Sequence, residues 1–292
     1  MREQIINEIK AQLEERVAGA KEVNFTVEKK NNGVELQAVT LKPIGNGMTI
    51  CPTIYIDGMI EAIADDDKTV EEAVEEIIRI DDKHKDSSFG SFFDNLDKDK
   101  ILENTTPQLV NREKNKKMLE SVPYKEVCNL AVVYRCVIET GEEGIGSFVI
   151  GNDFMQKYGI TVEELDEAAN KNEEYIIKTV TEAMEEILGT PTEEMPEKDN
   201  DLWVLTNKRC VNGATVMARE DVLKGLAEKL NDDLYILPSS IHEVLAIKAS
   251  FGKLEELRDM VREVNDTQVS EEERLSYEVY RYSREYRALM IA

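Results

Sequence analysis

Histidine is almost missing from this 292-residue chain, which carries only His84 and His242. The side chain that most readily moves protons near neutral pH and most often ligates metals therefore has two places to act. Cysteine is scarce too: Cys51, Cys128, Cys136 and Cys210 are scattered, without the paired spacing of a zinc site, and three of them sit in apolar runs as reduced thiols would. No run of apolar residues is long enough to span a bilayer. The opening MREQIINEIK lacks the unbroken apolar core and small-residue cleavage site of a secretory signal, so a cytoplasmic protein is expected. Neither a G-x-x-x-x-G-K-[ST] loop nor a strand-borne G-x-G-x-x-G occurs, which removes the familiar nucleotide motifs. No cofactor and no metal is expected.

Negative charge is abundant. Asp and Glu number 60 against 36 Lys and Arg, a net charge of −24. Such a surface repels nucleic-acid backbones and anionic membranes and attracts basic proteins. The excess is uneven: residues 61–82 hold ten acids and two bases, and residues 163–200 thirteen acids and three bases. A basic protein partner is one reading of this concentration, mimicry of a phosphate backbone a second, and plain solubility the bland one. Nothing in the sequence speaks to oligomeric state. With 41% hydrophobic residues the chain has the means to bury cores.

Periodicity predicts mixed helices and strands without a regular βα beat, hence an α+β fold with antiparallel sheets, packed helices and two lobes, 1–95 and 96–292. Ile5, Ile6, Ile9, Leu13 and Val17 mark an amphipathic helix ended by Gly19, and Asn31-Asn32-Gly33 marks a hairpin between VNFTVEKK and GVELQAVTLKP. MTICPTIYI follows as a strand, then a helix over DGMIEAIA. Thr69 with Glu72, and Thr161 with Glu164, spell capping boxes at two helix starts. The stretch 86–100 reads as a linker or short helix between the lobes. ILENTTPQLVN, VCNLAVVYRCVIE and GIGSFVIGN read as strands, with a short helix over REKNKKMLESVP and another capped by Asn152. EEYIIKTVTEAMEEILG reads as one helix, GATVMA as a strand, and YEVYRYSREYRALMI as one terminal edge strand.

Candidates for chemistry are few. His84 lies in the charged run DDKHKD, where a solvated surface position explains it. His242 stands in LPSSIHEV with Ser239, Ser240 and Glu243, the ingredients of a hydrolase. On a strand, however, Ser240 and His242 share one face while Glu243 points to the other, so a tight turn whose side chains satisfy backbone groups competes strongly. Asp65-Asp66-Asp67 and the run from Asp94 to Glu103 lack the glycine of a calcium loop and read as helix ends. Glu28-Lys29-Lys30 has nuclease-like spacing that any charged chain offers by chance. Cys210 follows Lys208-Arg209, which would lower a thiol pKa, but no histidine is near. The basic patch of Arg112, Lys114, Lys116 and Lys117 lacks the aromatics of an RNA surface. The balance favours a non-catalytic protein-binding or regulatory module over an enzyme, the alternatives being a hydrolase centred on His242 or an acidic nucleic-acid mimic.

Several segments together carry a resemblance: NNGVELQAVTLKPIGNGMTICPTIYID, NREKNKKMLESVP before LAVVYRCVI, FVIGNDFMQKYGITVEELDEAANKN, and DLWVLTNKRCVNGATVMAREDVLKGLAEKLNDDLYILPSSIHEVLAI with MVREVNDTQVSEEERLS. In order and spacing the chain resembles domain-of-unknown-function family 5688 of anaerobic Gram-positive bacteria. Its YGIT–EEL and LPSSIHEV segments are faintly similar to domain of unknown function 1444. The resemblance implies one continuous fold, in which residue 95 would be an internal connection, and it implies no activity, ligand or catalytic residue.

Overall fold

The computed structural model describes residues 1–45, 51–83, 92–93, 96–141, 144–189, 202–238 and 240–292. His84, Ser239, most of the stretch 86–95, and the acidic residues beyond 189 in the segment 163–200 lie outside the described residues. The chain falls into two compact units, Met1–Leu96 and Asp97–Ala292. Its class is α+β, with helices packed on antiparallel sheets.

In the first unit, helix α1 (Arg2–Arg16) buries Ile5, Ile9 and Leu13 and gives way to Gly19 at φ +75°, a conformation that glycine adopts without strain. Strands β1 (Lys21–Lys29) and β2 (Glu35–Pro43) pair antiparallel from Lys21↔Pro43 to Lys29↔Glu35. The turn between them puts Asn32 at φ 61° and Gly33 at φ 75°, as the Asn-Asn-Gly sequence requires. Strand β3 (Ile54–Tyr55) completes a three-stranded sheet of order β1-β2-β3. Helix α2 (Asp57–Ala64) and helix α3 (Val70–Lys83) pack Ile60, Val74 and Ile77 against Ile9, Leu13, Val39 and Leu41. The Thr69–Glu72 capping box is formed, Glu72 N–H donating to Thr69 Oγ1 at 3.2 Å and Thr69 N–H to Glu72 Oε2 at 2.8 Å. The largely buried Lys21 ammonium pairs with the buried Asp81 carboxylate, tying the start of the hairpin to the end of α3.

Among its described residues the second unit holds two sheets. Helix α4 (Lys98–Glu103) leads into β4 (Thr105–Asn111), and helix α5 (Lys116–Leu119) into β5 (Tyr124–Val127). The twelve-residue β6 (Leu130–Gly141) pairs antiparallel with β4, β5 and β7 (Gly144–Val149). Pro107 fits because β4 pairs on one side only. Helix α6 (Asn152–Tyr158) and helix α7 (Val162–Asn172) follow, the latter opened by the Thr161–Glu164 capping box. The six-stranded sheet runs β13-β12-β10-β11-β9-β8. In chain order its parts are β8 (Tyr175–Thr179), α8 (Val180–Leu188), β9 (Trp203–Asn207), a 3-10 helix (Gly213–Ala218), α9 (Glu220–Leu230), β10 (Leu234–Leu237), β11 (Glu243–Lys248), α10 (Leu254–Thr267), β12 (Tyr280–Ser283) and β13 (Ala288–Ile291). Leu257 and Val261 of α10 pack on Leu237 and Val279. Among the described residues no helix is long and apolar enough to cross a membrane.

Gly151, not Asn152, stands at the N-cap of α6, and of MTICPTIYI only Ile54 and Tyr55 are strand among the described residues; four segments depart further from expectation. Residues 175–179 are strand, not helix: β-branched Ile176 and Ile177 pair with Thr206 and Leu205, and Thr179 with Glu182 forms a further capping box, so α8 starts only at Val180. Ile101 to Glu103 belong to α4, whose N-cap Asp97 accepts the Lys100 N–H at 2.8 Å. GATVMA is a 3-10 helix, because Asn212 at φ 59° turns the chain into a pocket where Gly213 to Met217 are all buried, erasing the alternation a strand needs. The C-terminal run is a hairpin: Arg287 at φ 50° reverses it, and Ser283 Oγ accepts the Tyr286 N–H at 3.4 Å.

Candidate functional site

Ser240 to His242, in the stretch that holds the sequence's best prospect for chemistry, form a bend between β10 and β11. Ser240 makes an isolated bridge with Arg274, Ile241 N–H donates to Glu273 O at 2.9 Å, and β11 begins at Glu243, which is exposed. Ser240 Oγ accepts the backbone N–H of His242 at 3.0 Å, the local turn that serine hydroxyls favour. The imidazole is engaged at both nitrogens: Nδ1 accepts the Asn212 backbone N–H at 3.2 Å, and Nε2 lies 3.4 Å from Glu273 Oε1. A ring that accepts at Nδ1 carries its proton at Nε2, directed at that glutamate. Ser240 and His242 are close in the chain, yet the hydroxyl and the ring share no hydrogen bond, which a nucleophile–base pair requires.

Around this bend three loops are sewn together. Thr206 Oγ1 donates to His242 O at 2.8 Å, and Ala214 N–H to Ile241 O at 3.1 Å. Asn207, buried at the end of β9, closes the TNKRCVNG turn on itself, its Nδ2 donating to Val211 O at 2.8 Å and its Oδ1 accepting the Val211 N–H at 3.2 Å. The turn has room only for glycine at 213: a Cβ there would stand 2.3 Å from Thr206 Oγ1, 2.5 Å from Asn207 N and 2.6 Å from His242 O. Glu173, its side chain 3% exposed, receives Asn207 Nδ2 at 2.9 Å and Arg209 Nη2 at 2.6 Å. Burial nevertheless pushes its carboxyl pKa up, outweighing the opposing pull of Arg209 and Asn207. Tyr175 extends the network to Thr215 Oγ1 at 3.2 Å and carries the Arg219 guanidinium over its ring, 5.3 Å from the centroid.

The remaining candidates are equally committed. Cys210 is exposed at φ 52°, but the cations that would activate it turn away, Arg209 to Glu173 and Lys208 to Glu174 at 3.2 Å. In the Glu28-Lys29-Lys30 tripeptide, Glu28 accepts from Thr26 Oγ1 at 2.8 Å, Lys29 pairs with Glu35, and Lys30 sits 3.8 Å above the Tyr55 ring. Arg112 pairs with Glu126 at 2.6 Å and Lys116 with Glu113 at 2.5 Å, so half of the basic patch is neutralised. Asp65, Asp66 and Asp67 close α2 in an exposed turn, with Asp66 at φ 62°. Among the described residues no group of three His, Cys, Asp or Glu side chains is arranged to hold a metal ion. Sequence reasoning missed Asn207, Asn212 and Glu273 as partners of the bend; the Asn212-Gly213 dipeptide was the one local signal for them.

No curated protein and no solved structure matches this chain. Residues 2–284, nearly its whole length and all the segments just described but the last strand, match the model of the family of unknown function DUF5688, and to that family the chain belongs.

Proposed function

We propose that this is a non-catalytic binding module of the cytoplasm that meets a basic protein partner through acidic helical faces. The observation that carries the reading is the run through α2, the turn after it and α3, where Glu61, Asp65, Asp67, Glu71, Glu72 and Glu75 are exposed. Arg16 reaches Glu71 at 3.2 Å and Glu75 at 3.7 Å, one cation against six carboxylates. In the second unit Glu163, Glu167 and Glu174 are exposed on and after α7. Dense like charge on folded helices costs self-repulsion, and a partner of opposite sign relieves it. The engagement of His242 Nδ1 and Ser240 Oγ by backbone N–H groups, and of His242 Nε2 by the Glu273 carboxylate, favours binding over hydrolysis.

The test is capture of partners from cell extract with the full chain and with a D65N/D67N/E71Q/E75Q variant, followed by rebinding of the purified partner at two salt concentrations. A basic partner whose affinity falls with salt and with the four substitutions is expected, because exposed charges are screened within about 8 Å at physiological ionic strength. A partner indifferent to both, or no partner, overturns the reading. So does hydrolysis of simple ester probes that disappears in His242→Ala.

A further inference from the structure

A cleft of about 310 Å³ opens on the second unit between α9 and the β12–β13 hairpin, lined by Lys224, Glu228, Tyr282, Arg284, Glu285 and Arg287. In a chain with a net charge of −24, a small cleft whose lining sets three cations against two carboxylates stands apart from the rest of the surface. Its floor holds a second oddity. Tyr282 is 1% exposed, and its hydroxyl oxygen is buried with no hydrogen-bond partner among the described residues. Buried phenol hydroxyls ordinarily find a partner, because desolvating one without it is unfavourable. Burial also pushes the Tyr282 pKa up, so the phenol keeps its proton and stands as a donor.

The cations around it are held at some expense. Arg287 occupies the left-handed region at φ 50°, where a hairpin turn ordinarily places Gly or Asn. Arg284 is anchored through its backbone, its N–H donating to Asp233 Oδ1 at 3.0 Å, while Arg281 takes that same carboxylate with its guanidinium. Neither Arg284 nor Arg287 forms an ion pair among the described residues, whereas Lys224 has Glu228 at 3.8 Å. The opposing carboxylates, Glu228 and Glu285 on the rim with Glu220 nearby, disfavour a bare polyanion and offer acceptors to hydroxyl groups.

We propose that this cleft binds a small phosphomonoester carrying hydroxyl groups: the Tyr282 hydroxyl and the guanidiniums of Arg284 and Arg287 take the phosphoryl oxygens, and Glu228 and Glu285 accept from the ligand's hydroxyls. The volume suits a phosphoryl group and a few further heavy atoms, and planar guanidiniums match phosphate oxygens in pairs.

Calorimetric titration of the full-length protein with inorganic phosphate and with glycerol 3-phosphate, chloride holding the ionic strength constant, tests the assignment. Both anions are expected to bind, glycerol 3-phosphate more tightly. Tyr282→Phe and Arg287→Asn each weaken both by roughly tenfold, the usual effect of losing one charge-assisted contact. Because Phe removes an unpaired hydroxyl and Asn accepts positive φ, both variants are expected to unfold at or above the parental temperature, which separates lost binding from lost fold. Absence of binding by either anion, affinities unchanged in both variants, or a preference for inorganic phosphate over glycerol 3-phosphate overturns the proposal.

Discussion

Replacing Gly213 by alanine puts a methyl group where the structure has no space for one. Its Cβ would lie 2.5 Å from Asn207 N and 2.6 Å from His242 O, both backbone atoms that cannot rotate aside, and 2.3 Å from Thr206 Oγ1. Ordinary carbon contacts start near 3.4 Å, so the bend at His242 and the end of β9 must separate by about an ångström. Forcing a methyl into a packed site costs about 1–3 kcal/mol. The Thr206–His242 hydrogen bond, 2.8 Å long, breaks in the process and adds about 1 kcal/mol. The expected loss is about 3 kcal/mol, and for a unit of this size each kcal/mol lowers Tm by roughly 2–4 °C, so a fall of roughly 6–12 °C is expected. The chain has one tryptophan, Trp203, which begins β9 and is 7% exposed; its fluorescence follows the unfolding of this unit alone. Gly225, inside α9 with nothing within 4 Å of its would-be Cβ, supplies the opposite control: Gly225→Ala is expected to stabilise by about 0.5–1 kcal/mol. A Gly213→Ala protein that melts within 2 °C of the parent, on the scale just given, refutes the close packing of the bend.

Three further outcomes follow from the same physical picture. His242→Ala strands the Asn212 N–H in a part-buried turn and is expected to lower stability by about 1 kcal/mol, read by Trp203 fluorescence in urea; a larger change in any hydrolytic activity than in stability would contradict the structural role given to the ring. Burial pushes the Cys136 thiol up to about 12 and raises those of Cys51 and Cys128 as well, so a thiol reagent at neutral pH is expected to label exposed Cys210 first and Cys136 last, with mass spectrometry giving the order. The Arg219 guanidinium, bonded to both Asp221 oxygens at 2.9 and 2.8 Å, holds that carboxyl below its ordinary value. A carboxyl lowered in the fold contributes stability that is present above the ordinary aspartate pKa of about 4 and is lost as pH falls through the depressed value. Asp221→Asn should therefore flatten the acid limb of the stability curve; an unchanged limb would count against the pair.

Much of the fold was legible because it is encoded locally. The Asn31-Asn32-Gly33 turn and the boxes at Thr69 and Thr161 are decided by residues within a few positions of one another, and the structure forms all three. The corrections fall where distant residues decide. Residues 175–179 become strand because β9, almost thirty residues on, supplies their hydrogen bonds, although the Thr179–Glu182 pair already marked where the helix begins. GATVMA lost its alternation to burial on every side, which period-two reasoning cannot anticipate. The bend at His242 was found as a segment but not as an arrangement: Asn212 and Glu273, which occupy the imidazole, lie 30 and 31 positions away. The Tyr282 hydroxyl gave no sequence signal at all, since an alternating YRYS run looks alike whether or not its phenols find partners.

Among the described residues the long strand β6 pairs with every other member of its sheet: β4 lies along one side from Thr105 to Asn111, while β5 and then β7 share the other. On a ribosome, β4 and β5 therefore emerge with no neighbour to pair with, and their exposed amides wait until residues 130–141 have left the exit tunnel. Assembly of that sheet is then a single event triggered by one segment, and hydrogen exchange at β4, β5 and β7 should slow in concert rather than strand by strand.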